Sequence, residues 1–258
     1  MRLRSISITA LLLIGTAAFA QQAQQAQPGP HPKSQKEVDA LRKVQTDQQA
    51  SNWKQEIQDI NSVLEDFSDT EFKPQLLNMA MDASQRLGDY AQTVAWGERV
   101  IQNDPNDITA RVTVAETMAQ HMRDTDLDKD QTAAKVNTYA NKALELLKTA
   151  NTPPQGIPDA QWGDYKKQLE GQAHDSLGLA AAAQKNYPQA IDHYKAALAV
   201  FPNPIIMTHL ATSYLNNKQY DDAIATDDKI LAMGDASASV KQVAQQQKDT
   251  ATKLKGSK

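Results

Sequence analysis

The clearest order in this chain is the spacing of apolar residues over positions 172–233. Leu177, Ala180 and Ala181 fall at helical intervals, and after a break at Tyr187-Pro188 the spacing resumes with Ala190, Ile191, Tyr194, Ala197 and Leu198. Steps of three and four residues gather apolar side chains on one stripe of a helix. The pattern then repeats. Leu177 stands over Leu210, Gly178 over Ala211, Tyr187 over Tyr220, Ala190 over Ala223 and Ile191 over Ile224, each pair 33 positions apart. A period in that range signals stacked supersecondary units. Each unit reads as two helices. Pro188 suits the first turn of the second helix, where a missing N–H leaves no bond unmade. Pro202 and Pro204 end one unit and open the next. Gly178, Ala190 and Ala197 predict close approach of the paired helices, with Tyr187 and Tyr194 filling the wider gaps. One pair cannot bury its stripe alone, so neighbours must stack on it.

The same alternation extends upstream. Val38, Leu41 and Val44, then Trp53, Ile57, Ile60, Val63, Leu64 and Phe67, predict helices over about 37–49 and 51–67 in a hairpin spanning 37–70. A clearer unit covers 73–107, with Leu76, Leu77, Met79 and Ala80 on one helix and Val94, Gly97, Val100 and Ile101 on the other. Its turn, Gly88-Asp89-Tyr90, parallels Lys185-Asn186-Tyr187 and Lys218-Gln219-Tyr220. The next hairpin, 108–150, carries Val112, Val114, Ala115 and Met118, then Val136, Tyr139, Ala140, Ala143, Leu144 and Leu147, but an acidic insertion at 123–130 replaces the turn. Pro153, Pro154, Gly156 and Pro158 mark a long loop. A long helix through 161–183 then opens the hairpin 160–203, and 204–236 forms the last. Val240, Val243, Ala244, Ala251 and Leu254 continue a stripe opposite Lys241, Gln245 and Lys248, which predicts a capping helix over 237–254.

Leu177, Gly178, Ala190, Tyr194 and Pro202 match the Leu, Gly, Ala, aromatic and Pro positions of the tetratricopeptide repeat pattern. In the following copy Leu210, Ala211, Tyr214 and Ala223 match. The chain therefore resembles the tetratricopeptide repeat family, most strongly over 171–236. It departs at His174 (family Trp), Ala181 (family Tyr) and Asp227 (family aromatic), while Gly97 and Met81 break the family's size pattern. The resemblance implies an all-α fold, a right-handed α-solenoid of stacked helix–turn–helix repeats. It implies a non-enzymatic scaffold without cofactor, binding a protein or peptide on its concave surface.

In that family a fixed set of first-helix positions faces the groove. Carried over, the second hairpin supplies Gln75, Asn78, Asp82, Gln85 and Arg86, and the third Thr109, Glu116 and Gln120. The fourth supplies Asp175 and Leu179, and the last Thr208, Thr212 and Asn216. Val112, Ala119, Gln172, Ala182, Ala183, Ile205 and Leu215 occupy the remaining positions of the same register. Some family members clamp a terminal carboxylate with Lys, Asn and Arg there. This chain offers Asn78, Arg86 and Asn216 but no Lys, so that mode is not expected.

Composition adds the setting. Residues 1–20 carry Arg2 and Arg4, an apolar run from Ile6 to Ile14 and an Ala18-Phe19-Ala20 end, the layout of a cleavable secretory signal. The run is short of the ~20 residues a spanning helix needs. Export to a periplasmic or extracellular space is expected, with no membrane span after signal removal. Residues 21–36 are Gln- and Pro-rich and are expected to be a disordered linker. Loss of Arg2 and Arg4 takes the net charge from −4 to −6. An acidic chain without a basic stripe excludes nucleic acid as a partner. With no Cys, there is neither a disulfide nor a lipid attachment point.

Candidate chemistry is sparse. Asp124, Asp126 and Asp128 fit the first ligand positions of a calcium loop, but Lys129 takes the invariant Gly position and Lys135 that of the bidentate Glu. No metal site is expected there. His174 and His193 fall on paired helices, and no metal-ligand spacing or nucleophile motif accompanies them. The alternative to a partner-binding scaffold is a self-associating structural or assembly component of the cell envelope.

Overall fold

A computed structural model describes residues 29–154 and 156–257. The expected signal, and the linker as far as residue 28, lie outside the described residues. The rest is eleven α-helices with no strand among the described residues. They run as α1 (Gln35–Gln49), α2 (Trp53–Asp66), α3 (Lys73–Leu87), α4 (Tyr90–Asn103), α5 (Ile108–His121) and α6 (Lys129–Thr149). Then come α7 (Asp159–Ala183), α8 (Tyr187–Val200), α9 (Pro204–Asn216), α10 (Tyr220–Ala232) and α11 (Ala238–Gly256). Each helix packs on the next, so five hairpins stack in chain order and α11 closes the array against α9 and α10. This is an α-helical repeat solenoid. Its apolar interior runs in three linked stretches, α1–α4 with the start of α5, α5–α7, and α7–α11.

Four of the five hairpins turn in the same way. Ser51, Gly88, Lys185 and Lys218 each take a left-handed backbone, with φ of 57°, 67°, 62° and 62°. In each, that residue's N–H donates three residues back and the next N–H donates five back, as in Gly88 to Gln85 and Asp89 to Ser84. Those bonds satisfy the carbonyls left open at a helix end. An aromatic residue, Trp53, Tyr90, Tyr187 or Tyr220, then starts each second helix. The turns at 88, 185 and 218 were legible as equivalents; Ser51-Asn52-Trp53 is a fourth, without the glycine or lysine that marks the others.

Inside the hairpins, missing side chains set the spacing. A Cβ on Gly178 of α7 would collide with the Tyr194 ring of α8, and one on Gly171 would collide with Phe201. Gly97 on α4 makes room for Val114 of the following repeat and lies against Met81, whose Sδ would sit 3.3 Å from an added Cβ. The two size departures, Gly97 and Met81, thus compensate one another.

One expectation is corrected. The last residues of the segment read as linker are ordered. Lys33 Nζ pairs with Asp69 at 2.8 Å, and the His31 N–H donates to Glu71 at 3.0 Å. Ser34 caps α1, which begins at Gln35. Beneath this strap, buried Glu37 accepts from Thr70 at 2.6 Å and from the Lys33 N–H at 2.6 Å. Composition missed it because the anchoring groups lie in the α2–α3 loop, far along the chain.

Candidate functional site

The first helices of successive hairpins, α3, α5, α7 and α9, followed by α11, bear the residues that the family register assigns to the groove. Most of the polar ones are hydrogen-bonded within the fold. On α5, Thr109 lies 3.4 Å from the Tyr165 hydroxyl of α7. Glu116 accepts from Gln172 of α7 at 3.2 Å and from Gln120 at 3.1 Å. On α7, Asp175 is 6% exposed and meets His209 Nδ1 of α9 at 2.8 Å. On α9, the Thr208 carbonyl and the Thr212 hydroxyl both accept from the Gln247 amide of α11, at 3.3 and 2.6 Å. These rungs tie α5, α7, α9 and α11 together side by side. Tyr165, Gln172, His209 and Gln247 complete the ladder; of these only Gln172 stands at a groove position of the sequence register. Each lies on a helix facing an assigned residue, and a single-repeat register does not reveal that.

The second hairpin stands apart. Asp82 and Arg86 pair along α3 at 2.6 Å, and the guanidinium lies 4.8 Å from the centre of the Trp53 ring of α2. Asn78 donates to the Pro74 carbonyl at 3.2 Å, and Gln75 is half-buried. Gln85, Gln120, Thr212 and Asn216 are exposed, whereas Thr208 is buried and Leu179 half-buried. Val112 and Ala119 lie in the core, and Ile205 is exposed at the start of α9.

The ladder carries unusual electrostatics. Burial pushes the Glu116 carboxyl up to about 7, and the nearby Asp175 carboxylate adds to the effect; bonds from Gln172 and Gln120 and the His209 ring oppose it. Two further carboxyls rise to about 7. They are Glu56 on α2, through burial and then Asp82, and Asp227 on α10, through burial and then Asp228. The His174 and His193 rings lie 5.9 Å apart, and burial lowers the pKa of both.

The acidic insertion between α5 and α6 is held by cations of its own chain. Lys129 Nζ donates to the Asp124 carbonyl at 2.7 Å, and Lys185 of the α7–α8 turn pairs with the Asp124 carboxylate at 3.2 Å. The Asp126 carboxylate accepts the Arg123 N–H at 2.7 Å, and Gln184 donates to Asp130 at 2.8 Å. Among the described residues, no group of three or more potential ligands is placed to hold a metal ion. None of the described helices is long and apolar enough to cross a membrane.

Residues 176–238, which include the ends of α7 through α10, match the family described as tetratricopeptide repeat. Over those residues the chain is similar to tetratricopeptide repeats. Solved structures agree in fold across a larger share of it. PilW, a type IV pilus biogenesis factor, is 13% identical with a TM-score of 0.55, over 87% of this chain and 92% of that one. A double mutant of MamA RS-1 is 14% identical with a TM-score of 0.56, over 78% and 95%. A MamA fragment from Desulfovibrio magneticus RS-1 is 16% identical with a TM-score of 0.52, over 78% and 96%. Comparison with curated proteins gives no match.

Proposed function

We propose that this chain is an exported, non-catalytic scaffold that binds a protein or peptide partner across the face formed by its first helices. The observation that carries the reading is the ladder. It fixes α5, α7, α9 and α11 relative to one another while Gln120, Thr212 and Asn216 remain exposed along the same row of helices. A surface ordered before the partner arrives loses less conformational freedom on binding. The tetratricopeptide repeats favour a binding role over a catalytic one. The Arg2, Arg4 and Ala18-Phe19-Ala20 pattern supports export, with a mature chain starting at Gln21.

The test uses the chain expressed with its own N-terminus in an envelope-bearing host and recovered for N-terminal sequencing. The mature protein then serves as bait for its native envelope proteins. The reading expects Gln21 as the first residue. It also expects a captured protein that Gln120→Arg with Asn216→Arg releases, while Lys142→Glu on the second helix α6 retains it. A chain still starting at Met1 overturns export. Capture indifferent to Gln120→Arg and Asn216→Arg overturns the assigned face.

A further inference from the structure

Asp227 lies on the inner stripe of α10 with Ala223, Thr226 and Ile230, is 0% exposed, and has no hydrogen-bond partner for either carboxylate oxygen. A buried polar group without a partner is costly, and a buried charge far more so. The stripe is covered by α9 and α11. The titratable residues of α9 are His209, already bonded to Asp175, and Tyr214. α10 contributes Tyr220, Asp221, Asp222, Asp228 and Lys229, and α11 contributes Lys241, Lys248, Asp249, Lys253 and Lys255. Asp228 disfavours ionisation of Asp227, and Lys248 favours it. Lys248, however, is committed to Asp228 at 2.6 Å, and Lys255 to Asp221. Asp227 therefore stays in place comfortably only while neutral.

The helix covering it is weakly held. Of the 19 residues of α11, Ala244 and Ala251 are the buried ones, while Val243 and Leu254 remain exposed. Its ion pairs are exposed, and pairs of that kind contribute little. Its link to the ladder is Gln247, bonded to Thr208 and Thr212. A terminal helix with so few buried side chains is a natural site of local opening. Opening would admit water to Asp227 and solvate its charge.

We propose that α11 is a releasable latch: ionisation of Asp227 lifts α11 from α9 and α10 and frees Thr208 and Thr212 at the end of the first-helix face. Burial, which pushes the Asp227 carboxyl up to about 7, places the switch near neutrality. Below that the carboxyl is neutral and α11 stays docked; above it the charge favours the open form. The latch bears on the same face as the proposed binding site. Its test reads α11 itself, so either idea can fail alone.

The experiment is hydrogen exchange by mass spectrometry on the chain as recovered, at about pH 5.5 and about pH 8.5, corrected for intrinsic exchange. Protection over 238–256, measured against α8, is expected to fall about tenfold or more on going to the higher pH, since one pKa unit is a tenfold change. Asp227→Asn, which stays neutral, is expected to abolish that fall while leaving the response of α2 and α5 in place. Asp227→Leu serves as a second uncharged variant. Equal loss in wild type and variants overturns the latch. Should neither variant fold, the wild type decides. A loss over 238–256 larger than that of α2, α5 and α8, levelling off near neutrality, supports the latch, and no loss there, or one no larger than theirs, overturns it.

Discussion

Lysine is a poor residue for a left-handed backbone, yet Lys185 and Lys218 both take φ of 62° where Gly88 supplies the same turn at 67°. The left-handed form costs an L-residue roughly 1–2 kcal/mol. Glycine removes that strain but makes the unfolded chain freer by roughly 0.5–1 kcal/mol. Lys218 is exposed, whereas Lys185 also pairs with Asp124, so Lys218 is the cleaner test. Lys218→Gly is expected to stabilise the chain by about 0.5–1 kcal/mol, read as a higher urea midpoint at unchanged slope. A lower midpoint would mean that the turn is not under strain. The equivalence of these turns was legible because each precedes a tyrosine. The pairing of Gly97 with Met81 was not, since the hole left by Gly97 is filled by Val114 from the next repeat.

At the scale of elements, periodicity located the helices well and their neighbours poorly. The long α7, the interrupted third hairpin and the terminal α11 all follow from spacing and breakers. The ordered strap at 31–34 and the rungs between first helices do not, because their partners lie some 34 to 56 positions away. The acidic insertion shows how a local motif misleads. Its three aspartates copy the start of a calcium loop, but in the fold Asp124 holds Lys129 through its carbonyl and Lys185 through its carboxylate, joining the third hairpin to the turn of the fourth, and Asp126 accepts the Arg123 N–H. Two cations hold the Asp124 end of the loop, and the ligand that closes a calcium site is replaced by Lys135. Calorimetric titration is therefore expected to show no calcium binding tighter than about 10⁻⁵ M, the sensor range. A tighter isotherm would mean that calcium displaces both lysines.

Across the whole molecule, buried carboxyls recur along the array: Glu56 on α2, Glu116 on α5 and Asp227 on α10, each pushed up to about 7 chiefly by burial. They lie in three different hairpins, so pH acts on the stack as a whole and not at a single joint. The sign follows from linkage. A carboxyl whose pKa is higher in the folded state binds its proton more tightly there than when unfolded. Its favourable contribution is complete below the ordinary carboxylate range and is lost as pH rises through about 7. Thermal stability is expected to rise as pH falls from about 8 to about 5.5, until carboxylates held low, such as Asp89 with its bond from the Gln92 N–H, begin to protonate. Glu116→Gln separates the ladder from the other two sites. The amide keeps the size and offers its carbonyl to one of Gln172 and Gln120, while the other's amide can turn to accept from its NH2, but it cannot ionise. Its melting temperature is expected to depend less steeply on pH than that of the wild type, with the difference largest above neutrality. Parallel pH profiles for the two proteins would show that Glu116 is already solvated, and that the α5–α7 rung is looser than its geometry indicates.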